Sequence, residues 1–126
     1  GGIAEDKIYR GYGYDIFTDQ LKLAILIDGG SASASEILAG ALSEYNIATL
    51  VGEKSFGKGS VQELIEVTPD SSLKVTIAKW LTPKLKSLVD NGLKPDLPVK
   101  APDTPATDTS TDPVLLRAID FLKHKK

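Results

Sequence analysis

The chain has 126 residues, about one domain's worth, with 41% hydrophobic and 25% charged side chains, the composition of a globular protein. Fifteen Lys and Arg against 17 Asp and Glu give a net charge of −2, which provides no field to hold nucleic acid or an anionic lipid surface. There is no Cys, and the single His is His124 in the terminal Lys-His-Lys-Lys, which excludes disulfides, thiolate nucleophiles, Cys-based zinc sites and any Ser-His-Asp arrangement within the chain.

Residues 1–20 mix Gly and Tyr with scattered charge and no sustained period, which predicts an edge hairpin or loop. The chain starts Gly1-Gly2-Ile3 without an initiator Met, which reads as a processed protein or an excised segment. Leu21 to Ile27 is nearly continuous apolar sequence closed by Asp28-Gly29-Gly30, the pattern of a strand buried on both faces in a parallel sheet. This longest apolar run is far short of the ~20 residues that span a bilayer, and neither a transmembrane helix nor a signal peptide is expected. Apolar residues at 34, 37, 38, 41, 42 and 45 then follow helical spacing, with serines at the start to cap it. Ala48 to Val51 forms a short strand, so the order is strand, helix, strand, with a right-handed crossover expected.

A Gly- and Lys-rich loop covers 52–59. Residues 60–67 and 73–80 read as two strands joined by the turn Pro69-Asp70-Ser71-Ser72, a hairpin. The stretch to Pro98 is extended, with turns at Asp90-Asn91-Gly92 and Pro95-Asp96. Residues 101–113, rich in Pro, Thr and Asp, form a solvated linker, and an amphipathic helix runs from Asp112 to about Lys125. The division is a core over 1–100, a linker over 101–111 and a helix over 112–126.

Three features carry chemistry. Gly52 to Lys58 satisfies the first seven positions of the phosphate loop G-x-x-x-x-G-K-[ST], but Gly59 stands where a hydroxyl must hold magnesium. Ser31, Ser33 and Ser35 crowd a strand-to-helix junction, where free helix N–H groups can stabilise an oxyanion, although most serines there only cap. With no usable His, a serine needs another base, and a lysine can serve where desolvation favours its neutral amine. Lys58, among glycines and beside Phe56-Gly57, is the candidate.

Gly30-Ser-Ala-Ser-Ala-Ser-Glu-Ile37, Ala39-Gly-Ala-Leu42 and Val51-Gly-Glu-Lys-Ser-Phe-Gly-Lys-Gly-Ser-Val-Gln62 together resemble the C-terminal processing peptidases, or tail-specific proteases. The resemblance continues through Ala78-Lys-Trp-Leu-Thr-Pro83, Gly92-Leu-Lys-Pro-Asp96 and the last helix, about 100 residues in all. It implies an α/β fold with a crotonase- and Clp-protease-like core built from a strand-helix-strand unit, a hairpin and a C-terminal helix. It further implies Ser33 as nucleophile, Lys58 as general base and Gln62 to orient the amine. Backbone N–H groups of Ser33 and Ala34 form one side of the oxyanion hole. In the family the other side comes from a glycine after an earlier strand, for which Gly1-Gly2 is a poorly spaced remnant. Some members assign a relay role to an aspartate at the position of Glu44, which reads here as a solvated helix residue.

The implied function is a serine endopeptidase with a Ser-Lys dyad, cleaving proteins near their C-termini outside the cytoplasm, with no metal or cofactor. Its partner is a protein or peptide with an accessible C-terminus, captured in the family by an upstream PDZ domain that this chain lacks. As an excised core it is expected to be inactive alone. Two alternatives stand beside it, a non-catalytic interaction domain on the same fold and a nucleotide site on Gly52–Lys58.

Overall fold

The computed structural model describes residues 10, 11, 13, 21–89, 91–102 and 108–124. The expected hairpin or loop over 1–20 falls almost wholly outside them. In chain order the elements are β1 (Leu23–Ile27), α1 (Ala34–Glu44), β2 (Ala48–Gly52), β3 (Ser60–Thr68), β4 (Ser71–Lys79), β5 (Leu97–Pro98), a 3-10 turn (Thr109–Thr111) and α2 (Pro113–His124). The chain is an α/β protein, as its sequence pattern requires.

β1, β2 and β5 form one parallel sheet in that order, with Leu23 opposite Ala48, Ile27 opposite Gly52 and Val51 opposite Leu97. Successive side chains of a strand point to opposite faces. In β2, Leu50 therefore packs on one face with Ile27 and Ala39 of α1, and Val51 on the other with Val114 and Ala118 of α2. The central strand is β2, with Val51 fully buried. Among the described residues β1 is an edge strand, with Leu26 at 42% exposure, which corrects the expectation that it is buried on both faces. An apolar run shows that a strand can be buried, not which neighbours arrive to bury it.

α1 ends because Asn46 takes a left-handed conformation (φ 59°). The N–H of Ile47 then reaches the Leu42 carbonyl and that of Asn46 the Ser43 carbonyl, both at 2.9 Å, satisfying carbonyls the helix leaves free. α2 starts where the Asp112 carboxylate accepts the N–H groups of Val114 (2.8 Å) and Leu115 (3.1 Å), with Pro113 at the first helical position.

β3 and β4 form a separate antiparallel hairpin whose large apolar residues, among them Leu64, Leu73 and Ile77, are exposed. Within the expected linker, Asp108 accepts from Ser110 N at 2.9 Å and opens the 3-10 turn, and Ala101 packs against the α2 core.

Candidate active site

The site is built from two loops at the C-terminal ends of β1 and β2. The first, after β1, turns at Asp28, whose carboxylate accepts the Gly30 N–H (2.9 Å) and the Ser31 hydroxyl (3.1 Å). Ser31 is thereby committed to the turn, and Ser35 lies exposed in the first turn of α1. Ser33, immediately before α1, is held at φ 57° and ψ −120°, a conformation costly to a residue with a Cβ. It stands where a capping-box serine stands, with its N–H on the Glu36 carboxylate (3.1 Å) and its carbonyl accepting the Glu36 N–H (3.0 Å). The hydroxyl is exposed at the positive end of a helix.

The second loop, after β2, is the Gly52–Gly59 segment. Gly52 is required at its start: at φ +124°, a Cβ would lie 2.2 Å from the Ile27 carbonyl oxygen. The Glu53 N–H bonds that same carbonyl, and the Phe56 N–H bonds the Ser31 carbonyl, both at 2.9 Å, so the two loops are tied backbone to backbone.

Between them lies Glu36, 1% exposed. Its Oε2 accepts from Ser33 N (3.1 Å) and Lys58 N (2.9 Å), and its Oε1 from Gly57 N (2.7 Å) and the Ser55 hydroxyl (2.5 Å). Two N–H groups sharing one oxygen at those distances lie no more than about 6 Å apart, so the backbones of Ser33 and Lys58 are neighbours. Beyond the loop, Lys58 and Gln62 line one cleft of about 700 Å³ together with Phe56 and Val89, and Ala32 brings the serine turn to its rim. Gln62 sits at a register shift in the hairpin, between the pairs Val61–Ala78 and Gln62–Thr76, an irregularity that re-aims a side chain. Lys58 is exposed.

Three expectations change. The Ser33 N–H, expected in the oxyanion hole, donates to Glu36 (3.1 Å), while Ala34 N has no partner among the described residues. Glu44 is not a solvated helix residue. Its side chain is only 11% exposed; it accepts from Lys84 N (2.8 Å) and pairs with Lys86 (3.5 Å). Burial works to raise its pKa, but Lys84 N–H, the Thr82 hydroxyl and Lys86 outweigh it and hold the carboxyl below its ordinary value. Glu44 opens on a different cleft, with Thr82 and Lys86. The phosphate-loop reading also fails, because the Gly57 and Lys58 N–H groups that a phosphate would need are taken by Glu36, and a strand follows the loop instead of a helix.

The residue that sequence reasoning passed over is Glu36 itself. Its signal was Ser33-x-x-Glu36, a capping box at the start of an apolar helix.

Residues 4–99 match the description of peptidase family S41. The chain belongs to peptidase family S41. Its S41 relatives include a carboxy-terminal-processing protease of Bartonella bacilliformis, 47% identical over 85 residues that make up 68% of this chain and 20% of that protein. A carboxyl-terminal-processing protease of Synechocystis sp. is 49% identical over 80 residues, 64% of this chain and 19% of that protein. Among solved structures, the photosystem II D1 C-terminal processing protease superposes with a TM-score of 0.63 at 34% identity, covering 78% of this chain and 24% of that one. The S41 segment seen here spans about a fifth of the length of the relatives it matches. Among its described residues no helix is long and apolar enough to cross a membrane, and no group of His, Asp and Glu is placed to hold a metal.

Proposed function

We propose that this chain is the catalytic segment of a serine endopeptidase that cleaves proteins near their C-termini, with Ser33 as nucleophile and Lys58 as base. The observation that carries the reading is the conformation of Ser33, a strained and exposed serine at a strand-to-helix turn, the arrangement that presents a nucleophile in hydrolases of other folds. The family membership and the names of the relatives supply the substrate class.

In the reaction, the neutral amine of Lys58 takes the Ser33 hydroxyl proton as Oγ attacks the scissile carbonyl, and the tetrahedral oxyanion forms against the Ala34 N–H at the α1 terminus. The C–N bond breaks, the Lys58 ammonium returns the proton to the leaving amine, and an acyl-serine remains. Water then attacks the acyl-serine, giving up a proton to Lys58; the ammonium passes that proton to Ser33 Oγ as the acyl–oxygen bond breaks, and the new C-terminus leaves and ionises to its carboxylate. Gln62 orients the amine through its amide oxygen without adding a charge that would keep it protonated. Desolvation of the exposed Lys58 falls to the bound substrate. An upstream PDZ domain holding the substrate's C-terminal carboxylate, and action outside the cytoplasm, belong to the same reading.

The test is turnover of an unstructured protein with an apolar tail by the whole enzyme. Ser33→Ala and Lys58→Ala each abolish it, and turnover surviving in either sinks the dyad.

A further inference from the structure

We infer that Glu36 is a positioning residue of the reaction, a buried carboxylate that sets the distance between the serine turn and the lysine loop by bonding both. The inference rests on the dyad reading and adds to it a residue that touches neither substrate nor the reacting atoms.

A helix cap does not account for Glu36. A capping box asks of its glutamate one bond, to the N-cap N–H, and is satisfied at a helix surface. Glu36 makes that bond to Ser33, but it is buried and accepts three more from residues 19 to 22 positions later in the chain. A carboxylate leaves water at large cost unless its lone pairs are filled, and here each oxygen takes two donors. The four donors fall into two groups: Ser33 N belongs to the serine turn, and Ser55 Oγ, Gly57 N and Lys58 N belong to the lysine loop. The rigid group between them is planar and sits on the first turn of α1.

Its chemistry must be that of a carboxylate, since every partner donates. Ser55 Oγ accepts the Leu93 N–H at 2.7 Å, which leaves its own proton for Glu36. The amide of a glutamine, of equal size, would turn its NH2 towards one of these donor pairs. The bond to Ser33 N–H also helps to hold the serine at φ 57° and withdraws that N–H from the oxyanion, leaving Ala34.

The experiment compares Ser33→Ala, Lys58→Ala, Glu36→Gln and Ser55→Ala in the whole enzyme, reading kcat and KM on an unstructured protein substrate and thermal melting for the fold. Misplacement of reacting groups by about an ångström costs on the order of 100-fold. Glu36→Gln is therefore expected to melt as a native protein and to lose about 100-fold in kcat with KM within about threefold. A folded Glu36→Gln with kcat within about threefold of wild type, or with only KM raised, overturns the positioning role while the dyad stands. Activity persisting in Ser33→Ala or Lys58→Ala overturns the dyad and this inference with it. Should Glu36→Gln fail to fold, Ser55→Ala decides, because it removes one donor and leaves the carboxylate: kcat down about tenfold at constant KM supports the role, and unchanged kcat overturns it.

Discussion

Ser55 and Leu93 are hydrogen-bonded in both directions: the Ser55 N–H donates to the Leu93 carbonyl at 3.0 Å, and the Leu93 N–H donates to Ser55 Oγ at 2.7 Å. Because the Ser55 hydroxyl donates to Glu36, the segment after the hairpin is linked to Glu36 through the Ser55 side chain. The first consequence concerns the glycine beside Leu93.

Gly92 has φ +54°, and a Cβ there would stand 2.4 Å from the Ser55 carbonyl oxygen. Backbone blocks it on one side and strain on the other, so Gly92→Ala is expected to cost about 2–3 kcal/mol in urea unfolding. The whole enzyme should lose turnover as well, since Ser55 has to move.

Gly52 and Gly29 make a matched pair. A Cβ on Gly52 meets the Ile27 carbonyl at 2.2 Å, whereas one on Gly29 meets nothing within 4 Å. Gly52→Ala is expected to destabilise by more than about 2 kcal/mol, and Gly29→Ala to stay within about 0.5 kcal/mol, both read as shifts in the denaturation midpoint.

The conformation of Ser33 predicts opposed effects on stability and activity. Glycine adopts φ 57° without penalty, while alanine keeps the strain. Both Ser33→Gly and Ser33→Ala should be inactive, and Ser33→Gly should be the more stable of the two by about 1 kcal/mol. Equal melting temperatures would count against stored strain at Ser33.

Glu44 carries a pH dependence. Its folded pKa lies below the ordinary 4.5, with burial opposing and the Lys84 N–H, Thr82 hydroxyl and Lys86 ammonium prevailing. A depressed carboxyl contributes stability that is present above the unfolded pKa and is lost as pH falls through the folded one. Wild type should therefore lose more stability than Glu44→Gln between about pH 5 and pH 3, measured by urea unfolding at each pH.

Much of the architecture was legible because it is local. Helical spacing located α1, Asp112 marked the start of α2, and Pro69-Asp70 joined the hairpin strands. Burial was less legible. The run Leu21 to Ile27 looked ready for two covered faces, but β1 has a sheet neighbour on one side only among the described residues. Glu44 looked solvated because helix position says nothing of residues 82–86 arriving against it.

By itself the sequence determined the strand-helix-strand order, the family, and the residue types available for catalysis: serines at a helix start, Lys54 and Lys58 in a glycine loop, and no histidine outside the tail. Those properties are carried by periodicity and by spacing along the chain. Only the tertiary structure decided which serine is held in a strained turn, that the Ser33 N–H is spent, and that Glu36 gathers donors from both loops. The physical reason is that a buried carboxylate is satisfied by whatever N–H groups folding brings to it. Partners 19, 21 and 22 residues apart leave no period for a sequence to display.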